Sequence, residues 1–65
     1  MVNGKLEFFA ERNDKAIPLA NLWINTTNPE IAMFELQVIE GKISDHELVD
    51  LCDQLREAVQ MVRHT

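Results

Sequence analysis

The side chains able to do chemistry are few: a single cysteine, Cys52; two histidines, His46 and His64; and a row of carboxylates, Asp50, Asp53 and Glu57. A thiol nucleophile needs a nearby base or an electropositive setting. Cys52 has neither; it lies among Leu48, Leu51, Leu55 and Val59 in an apolar helical stripe, where a buried, inert thiol is expected. His46 falls on the outward face of the first helical turn, and His64 stands beside the C-terminus. Neither has a partner at a spacing that fixes a ligand or an acid–base pair, so both are read as surface residues. One Cys and two His give no zinc pattern. With no tyrosine and no glycine-rich phosphate loop, no catalytic residue, cofactor or metal site is expected, and the chain does not read as an enzyme.

Asp50, Asp53 and Glu57 recur at i, i+3 and i+7 along one side of a helix, with His46 in line and only Arg56 near enough to moderate them. Such a row can imitate the phosphate spacing of nucleic acid and occupy a basic groove. A straight helical row cannot surround a cation, since calcium takes six or more oxygen ligands. The plainer reading, which is preferred, is an ordinary solvated face.

The element carrying these residues is well defined. Ser44-Asp45-His46-Glu47 is a capping box, with Ile43 and Leu48 placed to staple across it. At about 100° per residue, Leu48, Leu51, Cys52, Leu55, Ala58, Val59 and Val62 share an arc of roughly 120°. A helix is therefore predicted over 45–63. Upstream, alternation predicts strands near 5–11, 19–25 and 31–40. Arg12-Asn13-Asp14-Lys15 reads as a tight turn and Asn28-Pro29 as a second one. Pro18 cannot donate to a ladder, so the middle strand is expected to be an edge or to begin after it. The fold class is α+β: a three-stranded antiparallel meander with one C-terminal amphipathic helix on one face (βββα), forming one domain over 1–65.

One helix can cover one sheet face. If Leu6, Phe8, Leu22, Ile24, Phe34, Leu36 and Val38 face it, then Phe9, Trp23, Met33 and Ile39 lie on the other side among Glu7, Asn25, Glu35 and Gln37. Those four predict a contiguous apolar patch of the kind found at interfaces. A chain of 65 residues sits near the lower limit for folding alone, and its lone cysteine permits no internal disulfide, so self-association is expected.

The leading expectation is a non-enzymatic protein-binding module. It would form a homodimer through the outer sheet face or an exposed strand edge, with Phe9, Trp23, Met33 and Ile39 as anchors. The alternative is an acidic inhibitor of a nucleic-acid-binding protein, in the manner of small phage-type counter-defence proteins, acting through Asp50, Asp53 and Glu57. Third comes weak DNA or RNA binding with Phe9 and Trp23 as stacking platforms. Against it stand Glu7, Glu11 and Glu35 beside them, a net charge of −5, and six Lys and Arg scattered along the chain. No leader-like segment and no run of about 20 apolar residues is present, so a cytoplasmic location without membrane contact is expected.

Overall fold

A computed structural model describes residues 3–28 and 30–63. Its first two strands, β1 (Gly4–Arg12) and β2 (Lys15–Asn25), form a hairpin. At the tip, Asn13 and Asp14 have φ of 52° and 62°. Two successive left-handed residues give a two-residue hairpin a twist that matches its strands, and Asn and Asp tolerate that conformation best after Gly.

β2 is the central strand, in the order β1-β2-β3, and it begins at Lys15. This corrects the expectation that Pro18 makes it an edge or delays its start. β3 (Met33–Val38) pairs only with Ala20–Asn25, so Pro18 sits where β2 has a single neighbour. The register also shifts there: Phe8 pairs with Ala20 but Phe9 with Pro18, which leaves Leu19 as the extra residue of a bulge. The Leu19 carbonyl accepts from both Ile39 N–H (2.8 Å) and Glu40 N–H (3.0 Å), which ends the β3 ladder. At the other end Asn28 turns the chain: its Oδ1 accepts from Glu30 N–H and its carbonyl from Ile31 N–H. β3 is thus shorter than the 31–40 read from alternation.

The helix α1 spans Asp45–Arg63. Its capping box is formed: Glu47 N–H donates to Ser44 Oγ at 3.2 Å, and Ser44 N–H donates to Glu47 Oε1 at 2.8 Å. Ile43 packs against the core, whereas Leu48, its expected staple partner, is half exposed. The core itself joins Phe8, Ala20, Leu22 and Ile24 of the sheet to Leu51 and Ala58 of the helix. Leu6, Phe34, Leu55 and Val62 pack around it.

Every sheet residue of that core lies on β1 or β2. Leu36 pairs with Leu22 and Val38 with Ala20, so both share the face that carries the helix, yet they are 47% and 62% exposed. The helix lies over the hairpin and reaches only Phe34 of β3, leaving Leu36 and Val38 exposed, which corrects the expectation that it closes a whole face. Arg12, at the end of β1, meets the first turn of the helix and ties its start to that side.

The same displacement corrects Cys52, which is exposed rather than buried. Leu51 and Ala58, not Cys52, mark the centre of the buried stripe. Cys52 is about 100° further round, on the flank turned away from β1.

Candidate functional site

Arg12 and Glu47 form a fork-to-fork pair, Nε to Oε2 at 2.8 Å and Nη2 to Oε1 at 2.7 Å. Nη2 also donates to the Lys42 carbonyl at 2.9 Å, and Nη1 stands 3.5 Å from Glu40 Oε2. One guanidinium thus ties the hairpin tip to the connector and to the helix start. Glu47 is held at about 2, well below the usual carboxylate range, first by its hydrogen bond from Arg12 and then by the Ser44 amide. Arg12 is raised in turn, mainly by the same bond. This clasp is structural in its contacts, and it decides which surface is left for a partner. Nothing in the sequence marks Arg12 beyond its position at a turn, because its partner lies 35 residues away.

The surface left open is β3. All of its side chains except Phe34 are exposed, and Met33 reaches 60%. On the helix-bearing face stand Phe34, Leu36 and Val38; the helix flank opposite the one that meets β1 carries Leu48, Cys52 and Val59, with Leu48 50% exposed. β3 is also an edge, with one side of its backbone unpaired. Edge strands in soluble proteins are commonly blunted by Lys, Pro or a bulge. β3 has none of these, and its only charge is Glu35.

The outer sheet face differs from the expected continuous patch. Trp23 is half-buried, beneath Lys5 Nζ at 5.3 Å from its ring, with Glu35 opposite on β3. The next row across the sheet is Glu7, Asn21 and Gln37, all polar, with Asn21 Nδ2 donating to Gln37 Oε1 at 3.4 Å. Phe9 lies beyond that row, opposite Pro18. Phe9, Met33 and Ile39 are well exposed, but the polar row separates Phe9 from Trp23. Of the four expected anchors, Met33 and Ile39 fall on or beside β3.

Asp50, Asp53 and Glu57 are exposed, and no ion pair among the described residues engages them. Glu57 borders a shallow cleft with Leu6, Glu7, Phe8, Gln54, Ala58 and Met61, on the β1 side of the helix. His46 is exposed, and its amide donates to Asp45 Oδ1 at 2.8 Å. His64 lies outside the described residues. Among the described residues, no three of His, Cys, Asp or Glu come together to hold a metal ion, and no helix is long and apolar enough to cross a membrane. No family model, curated protein or solved structure matches this chain. The reading of function therefore rests on the surface alone, and β3 with its flanks is the part of it that departs most from an ordinary solvated one.

Proposed function

We propose that this chain is a small non-enzymatic protein-binding module that docks by strand addition at the open edge of β3. The observation that carries this is an open edge strand whose helix-bearing face is apolar, with Leu36 and Val38 exposed there and Met33 exposed on the outer face. Strand addition supplies main-chain hydrogen bonds for affinity and alternate side chains for selection. Leu48, half exposed on the helix flank turned away from β1, offers further apolar area on the helix-bearing face. Met33 and Ile39 extend it on the other.

The edge itself can be tested. Ile39 N–H points to β2 in register with Leu19, so by antiparallel alternation the odd residues of β3 bond inward. Phe34, Leu36 and Val38 then direct their amides outward. Leu36→Pro removes an outward donor and leaves the β2–β3 ladder intact. The tethered chain is incubated with native cell extract, and recovered proteins are identified by mass spectrometry. A defined partner, or the chain itself, recovered on the wild type and lost on Leu36→Pro supports the reading. Equal recovery on both removes it, and loss on Trp23→Ala alone moves the site to the outer face.

A second reading has its own observation. Asp50, Asp53 and Glu57 present an unpaired acidic row suited to a partner's basic groove, as an inhibitor of a nucleic-acid-binding protein would. Reversing all three to Lys abolishes capture under that reading and leaves it unchanged under the first.

A further inference from the structure

We infer that the occupant of the β3 edge is a second copy of this chain, paired antiparallel about a two-fold axis through Leu36; this deepens the strand-addition reading and rests on it. The motivating pattern is in the strand. Met33-Phe34-Glu35-Leu36-Gln37-Val38-Ile39 reads apolar, apolar, polar, apolar, polar, apolar, apolar, the same in both directions from Leu36. A two-fold interface brings one surface against itself, so it requires a sequence that complements its own reverse.

Centred on Leu36, every pair matches. On the helix-bearing face Leu36 meets the partner's Leu36 and Phe34 meets the partner's Val38. On the outer face Glu35 meets the partner's Gln37, a carboxylate against an amide that can donate to it, and Met33 meets the partner's Ile39. The outward amides agree with this register: Phe34, Leu36 and Val38 of each copy exchange about six main-chain hydrogen bonds in all. Glu35 and the partner's Gln37 then fall in the closer, non-hydrogen-bonded type of pair, about 4.5 Å between Cα atoms.

Neighbouring registers fail on charge or polarity. Centring on Glu35 sets that carboxylate against the partner's Glu35 and Met33 against the partner's Gln37. Centring on Gln37 sets Glu35 against the partner's Ile39. Like charges directly opposite destabilise a ladder, and a carboxylate facing an isoleucine loses solvation without gaining a donor. The register at Leu36 alone keeps apolar with apolar and polar with polar along the strand.

Sedimentation of the purified full chain, from low to several hundred micromolar, reads the result. A monomer–dimer equilibrium is expected. Leu36→Lys places two ammonium groups across the axis on Cα atoms about 5.5 Å apart and abolishes the dimer. Leu36 is 47% exposed, so that monomer keeps its fold, checked by circular dichroism. Gln37→Lys pairs with the partner's Glu35 twice and tightens the dimer about fivefold, whereas Gln37→Glu weakens it by a similar factor. A strict monomer overturns self-pairing, as does a dimer indifferent to the charge at position 37. A strict monomer that still captures another chain from extract through Leu36 overturns this inference and leaves strand addition standing. A dimer and a capture both indifferent to Leu36 overturn the two together.

Discussion

β1 and β3 are the two edges of one sheet and flank the same central strand, yet they meet different surroundings. β1 lies under the helix, with Phe8 buried, and its remaining positions include Lys5, Glu7, Glu11 and Arg12. β3 is exposed at every position but Phe34, with one charge and with Leu36 and Val38 open on the helix-bearing face. The helix is amphipathic and would serve either strand equally well as far as its stripe is concerned. A polar contact breaks the tie: the Arg12–Glu47 fork, set at the end of β1, fixes the helix start on that side. Burial decides that the helix covers the sheet. A charge pair ties its start to the end of β1.

The largest test of this contrast is in the core. Phe8→Ala on the covered strand should cost about 3–5 kcal/mol, which is enough to unfold a domain whose whole stability is small. Val38→Ala on the bare strand should change the stability of the monomer by no more than about 0.5 kcal/mol. Urea titration with Trp23 fluorescence measures both at low concentration, and similar costs would show that β3 is as well buried as β1.

The clasp provides a smaller, pH-dependent effect. Glu47 has a folded value of about 2, below the ordinary 4.5 it regains on unfolding. A depressed carboxylate contributes stability fully above its unfolded value, and the contribution fades as pH falls toward its folded one. Glu47→Gln should therefore lower the urea midpoint at pH 7. The gap to wild type should narrow from about pH 4.5 and close near pH 2. A gap constant with pH would show that the Arg12 pair does not hold the helix start.

The gentlest probe is Cys52. On the flank turned away from β1 it should react with a thiol reagent in the native protein, without denaturant and without loss of structure. Protection of the thiol until unfolding would place the helix over β3 and reverse the comparison.

Local chemistry was the legible part of this fold. The Asn-Asp turn, the capping box and the 3.6-residue period of the helix are each written within a few adjacent residues, and each is formed. The helix position across the sheet was not legible. An apolar arc of roughly 120° includes Cys52 and Leu48 as readily as Leu51 and Ala58, and a modest roll moves the first two into water. Its cause joins Arg12 to Glu47 over 35 positions, and no local pattern reports that pairing. The same limit affected the surface. Phe9, Trp23, Met33 and Ile39 share a face by alternation, but only the cross-strand register sets Glu7, Asn21 and Gln37 between Phe9 and Trp23. Leu36 and Val38 share the helix-bearing face, as alternation predicts, yet the helix leaves both exposed.

Under the proposed pairing of β3, the charges on β1 acquire a further meaning. A chain with two equally inviting edges would add copies head to tail and grow into an open ribbon. With β3 consumed on both sides of the axis, the borders of the joined sheet are the two β1 strands. Lys5, Glu7 and Glu11 keep those borders hydrated, and Arg12 is already engaged by Glu47 and Glu40. Growth has nowhere to continue. The proposed assembly would close at twice the three strands of a single copy, a finite particle rather than a fibre.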